Sequence, residues 1–211
     1  RFESCRTLHE RMIMSKKVEC PKIYKDFWSP KVLDNLNKKI DAWGHGRIPS
    51  ILQYTDWTPD IVQDSGPILF IDLSDDEETL DDIKSELDVI YDTSVLEGFY
   101  CGIHIFLKGA YIPWHNDALN SFISTTYLNR RSWNWNWGGA LISQNKQGQI
   151  GMEFPEYNKM WVQSDKMDIK NYVRHTTSIL SPSAPPRFSL QIFADRDPSG
   201  FRQGENFKKF E

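Results

Sequence analysis

The sequence predicts an α+β domain in which two amphipathic helices precede about eight short strands folded into a two-sheet roll or barrel. Three observations lead there. Apolar residues recur at helical spacing twice in the first half of the chain. From Phe99 onward the character changes to short runs rich in β-branched and aromatic residues, divided by turn signals. Neither repeats nor low-complexity tracts interrupt the 211 residues, which fit one medium domain. A chain of that size can bury roughly two-thirds or more of its unfolded surface.

Residues 1–26 are mixed and charged, with a short strand expected around Val18–Tyr24. Ser29-Pro30 then gives a helix start, a capping hydroxyl followed by proline in the first turn. Leu33, Leu36, Ile40 and Trp43 share one helical face. Gly44-His45-Gly46 ends the helix and leaves His45 as a solvated turn residue. Residues 47–66 read as loop with a short extended piece, and Pro67–Leu73 as a compact apolar strand. The acidic run from Ser74 to Asp82 opens a second helix, as the helix dipole favours. Its buried stripe is Leu80, Ile83, Leu87 and Ile90. The same run could bind a hard cation, but a solvated helix start is the simpler reading.

In Tyr100–Leu107, the apolar set Cys101, Ile103, Ile105 and Leu107 alternates with Gly102, His104 and Phe106. His104 therefore leaves the isoleucine face and could point toward the site, although a structural role is the expected one. Lys108-Gly109 turns the chain into a strand over Tyr111–Asp117. Further strands are expected at Ser124–Asn129, Gly138–Ile142, Met160–Gln163, Tyr172–Leu180 and Arg187–Ala194.

Composition narrows the partners. A net charge of −4 argues against broad binding to nucleic acid or acidic membranes. Cys5, Cys20 and Cys101 are an odd, widely spaced set without a CxxC pair, read as reduced thiols of an intracellular, cytoplasmic protein. No apolar run approaches the ~20 residues that span a bilayer, and no secretory signal is visible. The chain begins at Arg1 rather than Met, which leaves its natural N-terminus open.

The chemistry concentrates in Tyr111-Ile-Pro-Trp-His115-Asn-Asp117. Alternate side chains of an extended strand leave on one face, so His115 and Asp117 can converge as two metal ligands, or as a His oriented by an Asp. A third candidate, His175, follows 58 residues after Asp117, and Arg187-Phe188-Ser189 opens the last strand twelve residues later. Two imidazoles and one carboxylate on one face of a metal leave positions open, as non-haem Fe(II) requires when it must also bind oxygen and a co-substrate. Zinc hydrolases use the same ligand types but close on three ligands plus water. They have no need of a nearby arginine, whose rigid fork of donors suits a carboxylate.

With these residues in view, the sequence resembles the Fe(II)/2-oxoglutarate-dependent dioxygenases, and within them the prolyl-4-hydroxylase-like branch. The resemblance covers about residues 99–195 and rests on an ordered set: His115-x-Asp117, Thr126-Tyr127-Leu128-Asn129, Gly138-Gly139-Ala140-Leu141, His175, and Arg187-x-Ser189. It implies that His115, Asp117 and His175 hold the iron. Arg187, helped by Ser189 and by the Tyr127 hydroxyl, would bind the distal carboxylate of 2-oxoglutarate. It also implies a double-stranded β-helix (jelly roll) core with the N-terminal helices packed on the outside. Residues 1–98 would be a helical support region and 99–195 the catalytic core of one 1–211 domain. The implied reaction consumes O2 and 2-oxoglutarate, releases succinate and CO2, and hydroxylates a C–H bond. Retention of Asp117 favours hydroxylation over halogenation. The chain departs from the pattern at Leu107-Lys108-Gly109, where relatives often carry a tyrosine before the turn, and in the slightly long step from His175 to Arg187.

The substrate class implied is a peptidyl residue, most simply proline, or a free amino acid. Oxidative dealkylation of nucleic acid, hinted at by Arg196, and a catalytically silent jelly-roll binding module are the alternatives. The segment Arg130-Arg-Ser-Trp133-Asn-Trp135-Asn-Trp137 reads either as a hairpin connection packing its tryptophans on the roll or as a substrate-facing loop. If extended, it would place all three rings on one side.

Overall fold

The computed structural model describes residues 22–52, 65–95, 98–115, 117, 122–144, 148, 150–163 and 174–195. Cys5, Cys20, Arg196 and the ends of the strands expected at Val18 and Tyr172 lie outside these residues. The described part has eleven strands and two helices. The strands are β1 (Lys22–Lys25), β2 (Ile51–Leu52), β3 (Ile68–Asp72), β4 (Gly98–Phe106), β5 (Ile112–His115), β6 (Phe122–Tyr127), β7 (Leu141–Gln144), β8 (Ile150–Glu153), β9 (Lys159–Gln163), β10 (Arg174–Thr177) and β11 (Arg187–Asp195). The helices are α1 (Pro30–Gly44) and α2 (Glu77–Leu87).

Local chemistry explains the helices. The Ser29 side chain accepts from Val32 N at the start of α1, Pro30 follows, and His45 caps the far end. Val32, Leu33, Leu36 and Ile40 form its buried face, and Trp43 meets Phe188 edge-on at 5.9 Å. Helix α2 starts three residues later than the acidic run predicts, because Asp76, not Ser74, accepts from Thr79 N as the cap. Glu77 and Glu78 occupy its first turn. Several acidic residues here serve the structure: Asp76 pairs with Lys39, Asp82 with Lys31, and beyond the run Glu86 accepts from the Ser29 N–H and hydroxyl. Ile90 lies beyond the helix end.

Every strand pairing is antiparallel. A seven-stranded sheet runs β1-β9-β6-β11-β4-β3-β2 and a four-stranded sheet β5-β10-β7-β8. Strand β8 alternates Ile150 and Met152 with Gly151 and Glu153, but over four residues only. It is an edge strand, and its apolar residues Ile150 and Met152 are exposed rather than turned to the core. The two sheets face each other across a cavity lined from both, the arrangement of a jelly roll.

The large sheet has two unlike faces. On one, Cys101, Ile103, Ile105, Phe122, Met160, Val162, Leu190 and Ile192 share a buried cluster with Val32, Leu36 and Ile40 of α1 and with Ile83 and Leu87 of α2. On the other, His104, Phe106, Thr125, Tyr127, Arg187 and Gln191 look into the cavity. Among the described residues no helix is long and apolar enough to cross a membrane.

Candidate metal centre

Antiparallel pairing of β5 with β10 sets His175 directly opposite His115, and their ring centroids are 4.2 Å apart. Strand β5 ends at His115, so Asp117 reaches the pair from just beyond the strand rather than from within it. Its Oδ1 lies 3.6 Å from His115 Nε2 and its Oδ2 3.3 Å from His175 Nε2. Ligand atoms of the three residues all fall within 4.8 Å of one another.

Protonation follows from the surroundings. His115 Nδ1 is 2.8 Å from the Pro113 carbonyl, which can only accept, so this nitrogen carries the proton and Nε2 offers a lone pair. That lone pair faces a carboxylate oxygen, an opposition that a cation between them would relieve. Burial, then the neighbouring His175, lowers the His115 pKa and favours the neutral ring. Burial alone would raise the Asp117 carboxyl. The His175 and His115 rings outweigh it and hold the acid below the usual carboxylate range.

Across the cavity, Arg187 at the start of β11 is 2% exposed. Its guanidinium lies 3.7 Å over the Phe106 ring and 5.6 Å from the Tyr127 centroid, and Nη1 donates to Gly139 O at 2.6 Å. Among the described residues no carboxylate pairs with it and its Nε has no partner. Burial lowers its pKa only to about 10, so it remains a cation. Tyr127 packs beside it. Burial raises the phenol to about 12, and its hydroxyl, although the Leu141 N–H is near, makes no well-formed hydrogen bond. Gly139 makes room for this group. It adopts φ +71°, and a Cβ there would meet Leu180 at 2.6 Å and the Arg187 side chain at 3.2 Å.

These residues fit Fe(II) and 2-oxoglutarate. Two imidazole nitrogens and one carboxylate offer a mixed donor set with a single negative charge. A buried guanidinium without a counterion and a buried phenol without a partner await an anion.

The fold thus gathers His115, Asp117, His175, Tyr127 and Arg187 around one cavity. Ser189 is fully buried opposite Tyr127 but does not line it, and its hydroxyl accepts from Gln191 Nε2 at 3.2 Å. Gln191 takes its place at the wall, held by the Thr125 hydroxyl donating to Oε1 at 2.9 Å. The sequence reading passed over Gln191 and Thr125, and it gave His104 a structural role. The alternation against Ile103 and Ile105 was the signal that places His104 on the cavity side. The departure at Leu107 falls on a residue of the helix-side cluster, whereas Phe106 is the one under the guanidinium.

The tryptophan segment is not extended. Trp135–Trp137 form a 3-10 turn capped by Asn134, so the three rings do not share a side. Trp133 and Trp137 meet edge-on at 5.2 Å and pack beside Phe106, Ala110 and Leu180. Trp135 is 74% exposed and stacks on Phe154 at 5.6 Å, over a groove that also includes Arg130, Arg131, Met152 and Tyr157.

No protein-family model matches the chain, and no curated protein matches it in sequence at a significant level. Solved structures do match in shape. A prolyl hydroxylase from Trichoplax adhaerens, in complex with a hypoxia-inducible-factor oxygen-degradation-domain peptide, superposes with a TM-score of 0.66 at 13% identity, covering 96% of this chain and 98% of that one. A Pseudomonas putida prolyl-4-hydroxylase gives 0.60 at 17% identity, with 84% and 92% covered. A 2OG-Fe(II) oxygenase family oxidoreductase from Burkholderia pseudomallei gives 0.54 at 19% identity, with 76% and 79% covered. What the chain shares with these proteins at such identities is the fold, that of the 2OG-Fe(II) oxygenases of the prolyl-4-hydroxylase-like branch.

Proposed function

We propose that the chain is an Fe(II)- and 2-oxoglutarate-dependent dioxygenase that hydroxylates a C–H bond, of a peptidyl proline or an amino acid, with release of succinate and CO2. One observation carries this reading: a buried arginine without a counterion shares a cavity with a His-Asp-His cluster. A silent binding module has no use for both. The peptide bound to the Trichoplax adhaerens enzyme supports a peptide as substrate.

In this reading His115, Asp117 and His175 hold the iron, and Arg187 with Tyr127 grips the distal carboxylate of the co-substrate. The iron and 2-oxoglutarate, when bound, supply the oxidising chemistry with O2. The chain's own part is placement. His115 is fixed by its bond to Pro113 O and stays neutral, and Asp117 stays ionised and offsets metal charge. Tyr127 keeps its proton and can donate it, while the Phe106 ring packed against the guanidinium keeps water from it. Ser189 acts at one remove, through Gln191. The whole chain forms a single catalytic domain whose N-terminal helices buttress the large sheet from outside.

Succinate release with Fe(II) and 2-oxoglutarate, screened over proline-containing peptides, free amino acids and alkylated oligonucleotides, tests the proposal. Stimulation by peptides or amino acids is the expected result. Stimulation by alkylated oligonucleotides alone would move the assignment to dealkylation, and iron-independent silence with every substrate would favour a binding module.

A further inference from the structure

His104 is an imidazole that the chemistry above leaves unused. It is 3% exposed on β4, and neither Nδ1 nor Nε2 has a hydrogen-bond partner among the described residues. Such a burial is unfavourable unless something supplies the missing bond. The obvious neighbours are already engaged. Thr125 donates to Gln191, and Gln191 donates to Ser189, the residue paired with His104 across the β4–β11 ladder. The other flanks are apolar, with Phe70 edge-on at 5.3 Å and Phe106 at 6.4 Å.

Position gives the vacancy a direction. Ladder pairing puts Phe106 opposite Arg187 and His104 opposite Ser189, one step further along the same face. His104 lines the same cavity as Arg187, the anion anchor, and Asp117 of the metal cluster, and both of their charges act on its ring. Burial pushes its pKa down to about 3, which leaves a neutral ring with one N–H to give. A neutral donor beside Arg187 adds no second cation to the cavity.

We propose that His104 is a further recognition residue for the co-substrate, donating an imidazole N–H to an oxygen of the 2-oxo diacid held between Arg187 and the His115–Asp117–His175 cluster. This rests on the 2-oxoglutarate reading of the cavity. The opposed pair of substitutions is His104→Phe, which fills the space without a donor, and His104→Gln, which keeps one.

The test is calorimetry of 2-oxoglutarate binding to Mn(II)-loaded protein under anaerobic conditions, with Mn(II) affinity measured beside it. His104→Phe should bind 2-oxoglutarate about ten-fold more weakly or worse, as loss of a bond to a charged acceptor implies, with Mn(II) affinity unchanged. His104→Gln should stay within about three-fold of wild type. With 15N-histidine and Zn(II) in place of Mn(II), 2-oxoglutarate should slow exchange of one imidazole N–H that His104→Phe lacks. Wild-type affinity in His104→Phe, or an imidazole spectrum that 2-oxoglutarate leaves unchanged, overturns the proposal. Wild-type protein that binds Mn(II) but no 2-oxoglutarate overturns the underlying reading instead, and does so before any variant is made.

Discussion

The two faces of β4 differ in every respect that matters for stability. Cys101, Ile103 and Ile105 point into the cluster shared with both helices and are fully buried among apolar neighbours. His104 and Phe106 point the other way, toward a buried cation and a cluster of titratable groups. On that side Arg187 Nε, both His104 nitrogens, the Tyr127 hydroxyl and His175 Nδ1 all lack partners among the described residues. A buried polar group without a partner costs about 1–3 kcal/mol. One face therefore stabilises the sheet, and the other carries buried polar groups whose hydrogen bonds the described residues do not supply. This division is common where a rigid scaffold carries a site.

The comparison breaks most completely at the metal cluster. Asp117→Ala removes the proposed anionic ligand, and both metal affinity and succinate formation should be lost, with little change in melting without metal. Undiminished succinate release would remove this residue from the site. On the opposite face Ile103→Ala should do the reverse. It should destabilise by about 2–5 kcal/mol, as buried large-to-small changes do, and leave the 2-oxoglutarate affinity of the folded fraction unaltered. Urea unfolding beside calorimetry separates the two effects.

A smaller version of the same contrast lies in the tryptophan segment. Trp133→Ala and Trp137→Ala should each cost about 2–4 kcal/mol, since both are partly buried against the roll. Trp135→Ala should stay within about 0.5 kcal/mol of wild type, and any loss should appear in turnover of a peptide substrate. Equal thermal shifts for all three variants would mean that Trp135 is also structural.

Acid should separate the faces too. In the unfolded chain His104 titrates near its ordinary 6.5, and in the fold burial holds it near 3. Between those values the unfolded chain binds the extra proton. Stability from this group is thus complete above pH 6.5 and falls as pH drops toward 3, by at most about 1.4 kcal/mol per unit. Melting curves of wild type and His104→Asn over that window should diverge, with the variant less acid-sensitive. Parallel curves would mean that His104 is protonated in the fold.

Much of this was legible from local chemistry. Ser29-Pro30 and the stripe of Leu33, Leu36 and Ile40 specify α1 through capping and periodicity, both short-range properties. The resemblance placed His115, Asp117, His175, Arg187 and Tyr127 around one site, and the fold does bring them to one cavity. What could not be read was long-range. Only the folded arrangement reveals that Ser189 is turned to Gln191, or that His104 shares a cavity with both Arg187 and Asp117. Strand β8 escaped because its alternation of Ile150 and Met152 spans only four residues, too few to mark a strand. The tryptophan segment left packing and display open, and local spacing could not divide them: Trp133 and Trp137 pack on the roll, while the 3-10 turn capped by Asn134 leaves Trp135 exposed.

The central claim is that the counterion missing from Arg187 is the co-substrate's carboxylate. Arg187→Met keeps the stem packed on Phe106 and Tyr127 but removes the charge. Calorimetry of 2-oxoglutarate into Mn(II)-loaded protein tests the claim most directly, with a melt of the ligand-free variant alongside. The account predicts that affinity falls by about 3–5 kcal/mol, while ligand-free stability holds or rises because an uncompensated buried charge is gone. Equal 2-oxoglutarate affinity in Arg187→Met and wild type would contradict it.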